Sequence, residues 1–301
     1  MEVCASGMKA ISSATAELSL GHRDVMVAGG MESLSNTPFT LKRGQTPYGG
    51  IKLTDTCNHD GLTDAYTGWH MGKCAEEMAV RLNINRERQD DYGIMSYKRA
   101  ESAYKMGIYE NEIVPVTVKK GKMQIAVSKD EEIARCNYDT FRRTRTYWGE
   151  TVGVGSSSKL ADGAAATLLM NETALNKYDL KPLARIVDYG DAATNPTDWP
   201  IAPAIGVKEI LYRNNLNVQD ISLWEINEAF AMVVLANGDI LDIDIEKVNK
   251  NGGAIAVGHP FGMSGARITN HLALNLKKGE LGIATLCNGG GGAGTILLEG
   301  M

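Results

Sequence analysis

The sequence predicts an α/β fold. Three observations carry it. Helical spacing over residues 4–20 runs into a short apolar stretch at 24–30. Strand-like and helix-like runs alternate from residue 161 to the end. Glycine-rich turns sit where strand gives way to helix. Alternation of this kind is the signature of sheets covered by helices.

Taken in order, Met8, Ile11, Thr15 and Leu18 recur at spacings of three and four, and Gly21 can stop the helix. DVMVAGG at 24–30 reads as a short buried strand. No strand precedes the helix, although a parallel sheet requires one, so the chain is expected to begin in mid-domain. Residues 36–70 lose periodicity and read as loop. Residues 70–84 and 85–107 read as helices, with Asn85 as a cap and Gly107 as a stop. Residues 115–128 read as a hairpin turning at Lys120-Gly121. Runs at 161–170 and 183–190 read as strands with a helix between. A strand and helix follow at 221–238, a glycine-rich turn and helix at 248–279, and a paired terminal segment at 281–300.

Composition removes several function classes. The 301 residues are 44% hydrophobic, enough for about two domains. A net charge of −5 offers no basic excess for nucleic acid. No apolar run approaches the roughly 18 residues that span a bilayer. The first residues match neither a secretory signal nor a transit peptide. Five cysteines, an odd count without a CxxC pair, argue against a disulfide framework or structural zinc and fit a reducing compartment.

Four positions have the chemistry of a site. Cys4 opens a helix, whose free N–H groups stabilise a thiolate and lower its pKa; the plainer reading is a buried structural cysteine. His259, in GHPFG, has little side-chain cover and suits a general base, or it caps a turn. Cys287 leads CNGGGGAG, where glycines let N–H groups approach a reacting oxygen. A phosphate loop fails there, because neither GK[ST] nor a helix follows; a tight hairpin is the alternative. Asn227 lies at a strand-to-helix junction as a cap or as a holder of water.

Six blocks in order, CASGMKA, HMG at 70–72, LADGAAA at 160–166, NEAF at 227–230, NGGAIAVGHPFGMSGAR at 251–267 and CNGGGG at 287–292, resemble the motif set of the thiolase family, closest to its mitochondrial acetoacetyl-CoA type. The resemblance implies the layered αβαβα thiolase fold with the first half of the N-terminal domain missing. Residues 1–33 and 161–182 would be the remnant of that domain, 34–160 a loop domain covering CoA, and 183–301 the C-terminal domain. It implies an acetyl-CoA C-acetyltransferase that cleaves or makes acetoacetyl-CoA. Cys4 would be the acetylated nucleophile, and His259 and Cys287 the acid/base pair. Asn227 would hold a water, and Gly289 would donate its N–H with that of Cys4 to an oxyanion.

CoA would be the co-substrate, with no cofactor required for the chemistry. Leu62, His70, Met71, Ser158, Ala229 and Phe230 would line its pantetheine arm, with Tyr97 and Arg135 near the nucleotide. Where the family has a basic residue beyond Arg135, this chain has Thr140; Arg142, Arg143 and Arg145 are candidates for the lost charge, or a solvated face. Trp199, in Asp198-Trp199-Pro200, would border the acyl pocket and bear on 2-methylacetoacetyl-CoA. An activating K⁺ would sit near Tyr97, Val154, Gly155, Ser157 and Ile255. A homotetramer in the mitochondrion is implied, with the cytoplasm second. Two other readings stand beside these. One is an inactive truncated chain that only binds CoA or thiolase subunits. The other is a Cys/His hydrolase, which would need no second thiol.

Overall fold

The computed structural model describes residues 2–44 and 47–301. A 3-10 turn at Val3–Ala5 leads into helix α1 (Ser6–Ser19) and strand β1 (Val25–Ser33). The loop-rich stretch contains, among the described residues, the two-residue strands β2 (Phe39–Thr40) and β3 (Thr54–Asp55) and a wide turn at Cys57–Gly61. Helices α2 (Met71–Arg81) and α3 (Arg86–Lys105) follow, then the hairpin β4 (Val116–Lys120) and β5 (Met123–Val127) and the short α4 (Tyr138–Phe141). Strand β6 (Asp162–Met170), α5 (Glu172–Tyr178), β7 (Ala184–Ala193), α6 (Ala202–Arg213) and β8 (Ile221–Ile226) come next. The chain ends with α7 (Ala231–Leu241), α8 (Ala254–Val257), α9 (Phe261–Asn275), β9 (Leu281–Asn288) and β10 (Gly292–Gly300).

The helix starts have local causes. Asn85 accepts from the Arg88 N–H at 2.9 Å, and Gly107 ends the α3 region with φ +72°. His70 caps α2 by accepting from the Gly72 N–H at 2.9 Å.

Strands β7, β10, β9 and β8 form one sheet in that order, parallel only between β8 and β9. Strands β1 and β6 form a separate antiparallel pair. Helices α1 and α9 lie between the two sheets and touch both, while α6 packs on the far face of the four-stranded sheet beside α7. The middle layer is packed backbone to backbone. A Cβ on Gly30 would stand 1.9 Å from the Gly262 oxygen, and one on Gly7 2.6 Å from the same atom. Only glycine permits that approach, which seats the first turn of α9 against the start of α1.

The expectation of a buried β1 is corrected. Its only partner among the described residues is β6, so Met26 and Ala28 face the core while Val27 and Met31 are about 70% and 69% exposed on the other side. Alternation across a single covered face explains the pattern.

Candidate active site

Cys4 lies within the 3-10 turn, and α1 proper begins at Ser6, whose hydroxyl donates to the Val3 carbonyl at 2.6 Å. Val3 holds φ +39°, an unusual conformation for a β-branched residue. This turn packs against α9 and β9. The expected low thiol pKa is corrected: burial pushes Cys4 up to about 12, with Glu32 adding to the rise and its own backbone N–H opposing it. Desolvation of the thiolate outweighs the helix terminus.

Cys287, near the end of β9, is 2% exposed. Burial raises its pKa well above the ordinary thiol value, and a negative charge on Cys4 raises it further. A charge on Cys4 is thus felt at Cys287.

His259 is buried, and burial lowers its pKa to about 4, so the resting imidazole is neutral. Its Nδ1 lies 2.6 Å from the Ser264 hydroxyl, which donates to the Pro260 carbonyl at 3.0 Å. That chain assigns the proton to Nδ1 and leaves Nε2 as an acceptor, taking a long hydrogen bond from the Asn227 amide nitrogen at 3.3 Å. Asn227 is fixed in turn by its backbone N–H, which donates to the Thr285 carbonyl of β9 at 3.0 Å, two residues before Cys287.

Gly289 lies in the turn joining β9 and β10. Gly290 and Gly291 adopt φ +91° and +89°, and a Cβ on Gly291 would meet the Thr194 oxygen at 2.4 Å. The turn therefore requires glycine there. Among the described residues no backbone acceptor takes the Gly289 N–H.

Glu228, next to Asn227, is fully buried and accepts from four donors: Tyr92 Oη at 2.8 Å, Ser96 Oγ at 2.7 Å, Asn249 Nδ2 at 3.1 Å and the Ile255 N–H at 3.0 Å. It ties the NEAF turn to α3 and α8. The segment 156–159 is laced to the same turn. Ser158 N–H donates to Ala229 O at 3.1 Å, Ala231 N–H to Ser156 O at 2.8 Å, and His259 N–H to Lys159 O at 2.8 Å.

The expected CoA groups divide. His70 stacks on Trp148 with centroids 4.9 Å apart, and Trp148 and Trp199 both pack on Phe230, each with centroids 6.0 Å away. Glu76 holds the Trp148 segment from below, accepting from the N–H groups of Glu150, Thr151 and Val152 at 2.9, 3.0 and 2.7 Å. Met71 is buried, Leu62 is half-buried against the core, and a Cβ on Gly289 would lie 3.6 Å from Met71 Sδ. Tyr97 is 2% exposed and its hydroxyl donates to Glu132 at 3.0 Å, so it faces inward. Arg135 is exposed and paired with Glu131 at 2.7 Å. Of the basic run, Arg142 is paired with Asp91 and Arg143 donates to the Asp139 carbonyl at 3.1 Å. Arg145 is exposed, and no carboxylate among the described residues pairs with it.

The residues expected around K⁺ are otherwise engaged. The Lys159 ammonium donates to the carbonyls of Val154, Gly155 and Ser157 at 3.0, 3.3 and 2.7 Å. Among the described residues, no cluster of three or more His, Cys, Asp or Glu side chains has the geometry of a metal site. Lys159, Ser264 and Glu228 are buried or half-buried polar groups at the candidate site that the sequence reading did not single out. Only Ser264 carried a signal, since it lies five residues beyond His259 in the following helix.

Comparison with known proteins gives the family. Residues 1–173 match the family described as "Thiolase, N-terminal domain" and residues 180–300 that described as "Thiolase, C-terminal domain". The mitochondrial acetyl-CoA acetyltransferase B of Xenopus laevis is 52% identical over 99% of this chain and 72% of its own length. The human mitochondrial acetyl-CoA acetyltransferase is 51% identical over 99% of this chain and 71% of its own length. Among solved structures, an Ascaris suum thiolase in complex with coenzyme A superposes with a TM-score of 0.95 at 40% identity, covering 99% of this chain and 78% of that one. Human mitochondrial 3-ketoacyl-CoA thiolase gives 0.94 at 34% identity, over 99% and 78%. With both halves matched and the fold shared, the chain belongs to the thiolase family.

Proposed function

We propose that this chain is an acetyl-CoA C-acetyltransferase that cleaves acetoacetyl-CoA with CoA, reversibly, through an acetyl-Cys4 intermediate. One observation carries the reading: the half-buried Cys4 and the buried Cys287 are coupled, a charge on Cys4 opposing ionisation of Cys287, in a chain that also buries a neutral imidazole, His259, against Asn227. A hydrolase has no use for the second thiol. Carbon–carbon cleavage does, because one sulfur must hold the acyl group while another group handles a proton on carbon.

In thiolysis, His259 Nε2 takes the Cys4 proton, and the sulfur attacks the ketone carbon of acetoacetyl-CoA. The N–H groups of Cys4 and Gly289 receive the developing oxyanion. Collapse breaks the bond to the α-carbon. The departing enolate is held by protonated His259 and a water on Asn227 until Cys287 gives its proton to carbon. The first acetyl-CoA leaves, and Cys287, now a thiolate beside a neutral thioester, takes a proton from the incoming CoA thiol by way of His259. CoA sulfur then attacks acetyl-Cys4, which releases the second acetyl-CoA and restores the thiol.

Residues 34–160 act as the cover for CoA, 1–33 with 161–182 and 183–301 being the two α/β domains. Leu62, His70, Met71, Ser158, Ala229 and Phe230 line the pantetheine arm, with the exposed Arg135 and Arg145 towards the phosphates. Trp199 bounds the acyl pocket and limits branched substrates such as 2-methylacetoacetyl-CoA. A homotetramer serving fatty-acid oxidation and ketone-body metabolism is the setting that the family resemblance implies, and the relatives' names support the mitochondrion as its compartment.

The test is incubation of the purified chain with acetoacetyl-CoA and CoA, following the enolate absorbance and the mass of an acetyl adduct. Cys4→Ser is expected to abolish both signals. Cys287→Ala is expected to keep the adduct formed from acetyl-CoA and lose about 10²–10⁴-fold in turnover, the usual worth of a general acid/base. No turnover by soluble, folded protein, or full turnover by Cys287→Ala, would sink the reading.

A further inference from the structure

The carbonyls of Val154, Gly155 and Ser157 converge on one point, and that point is filled by the chain's own Lys159 Nζ at 3.0, 3.3 and 2.7 Å. Three acceptors require three N–H donors. An ammonium has them and a neutral amine does not, so the geometry itself calls for the charged form. The nitrogen also lies 6.0 Å from the centroid of the buried Tyr97 ring, within cation–π range. Burial lowers the Lys159 pKa, and the charge of Glu132, which accepts from Tyr97, offsets part of that cost.

These are the groups expected to face K⁺. They do not fit one here, because a free cation and the ammonium would compete for the same lone pairs.

We infer that Lys159 is a tethered cation that does the work of a bound alkali-metal ion, so that this chain needs no K⁺ to order its active site. What it orders follows from the same segment. The backbone of residues 156–159 hydrogen-bonds to Ala229 and Ala231 beside Asn227, and the Lys159 carbonyl itself receives the His259 N–H at 2.8 Å. A positive charge on one side of the segment thus holds the base and the enolate site on the other. An ammonium matches K⁺ in charge and closely in size, and a tethered one costs no binding entropy at each encounter. Lys159 is a positioning residue, acting through His259 and Asn227.

The inference concerns the site of the proposed thiolase, but its main readout does not depend on turnover. Thermal unfolding of the full chain is compared in KCl and in choline chloride at equal ionic strength. The wild type is expected to unfold at the same temperature in both. Lys159→Met is expected to unfold about 2–4 °C lower in choline chloride and to recover in KCl, as a ligand that binds only the folded state requires. Acetoacetyl-CoA thiolysis measured alongside is expected to be indifferent to K⁺ in the wild type and K⁺-stimulated in Lys159→Met. A saturable K⁺ stabilisation or activation of the wild type would overturn the inference, as would a Lys159→Met chain with no K⁺-specific stabilisation. If the variant does not fold, the wild-type comparison decides alone. Absence of any thiolysis would count against the proposed function, and the unfolding arms would still report on the cation site.

Discussion

Replacing Glu228 by Gln tests whether the active-site turn is held by a buried carboxylate. The substitution keeps the shape and converts one oxygen into a donor. Oε2 accepts from Ser96 Oγ and from the Ile255 N–H, and the backbone donor cannot reverse. The amide nitrogen must therefore take the Oε1 position, opposite Tyr92 Oη and Asn249 Nδ2. Tyr92 can turn its hydroxyl round and accept. Asn249 loses this acceptor but keeps the Ile226 carbonyl at 2.7 Å and Tyr92 Oη at 2.9 Å. One bond to a charged acceptor is lost outright and the others weaken, and such bonds are worth about 1.5–3 kcal/mol each. The expected loss is therefore about 2–3 kcal/mol in urea unfolding, with the denaturant slope unchanged. Turnover should fall with it, because Asn227 and the Ile255 end of α8 are released together. A loss under about 0.5 kcal/mol, the size typical of a neutral surface change, would refute the view that Glu228 anchors the turn.

Two further outcomes follow from burial and backbone geometry. Burial raises the pKa of Glu225 from 4.5 to about 7, against the opposing pull of His271 and Arg267. A group raised in the folded state contributes stability at acid pH that is lost as pH rises through the folded value. Glu225→Gln should therefore stabilise the chain by about 3 kcal/mol at pH 8, and the gain should vanish by about pH 4.5, as read from urea unfolding at the two pH values. Gly291→Ala should lower the thermal midpoint, since φ is +89° and the new methyl would stand 2.4 Å from the Thr194 oxygen. The backbone strain alone costs about 1–3 kcal/mol, and turnover should drop further as the Gly289 N–H moves.

What the sequence disclosed was mostly local. The α1 spacing, the Asn85 cap and the Lys120-Gly121 hairpin depend on neighbours within a few residues, and all three stand in the structure. The glycine-rich turns around His259 and Cys287 were legible because glycine is tolerated poorly elsewhere. Burial was not legible. Cys4 at the head of a helix suggests a thiolate until α9 and β9 cover it. DVMVAGG reads as a buried strand until only one of its faces is covered. Tyr97 faces inward because Glu132 and Lys159 meet it there, and neither is near it in sequence. Lys159 itself looks like any surface lysine in SSSK; only the convergence of three carbonyls gives it a role.

The seating of α1 against the first turn of α9 also sets a timetable. Gly7 and Gly30 fit only against the Gly262 backbone, and Cys287 arrives later still. At about 5–20 residues per second, the roughly 280 residues between the two cysteines take on the order of 15 s or more to synthesise. During that interval α1 can already meet β1, but α9 and β9, which cover Cys4, have not been made. The cysteine's covering layers thus arrive long after it does. Nascent chains should spend that phase with the α9-facing side of α1 uncovered, which makes it a natural place for a chaperone to bind during translation.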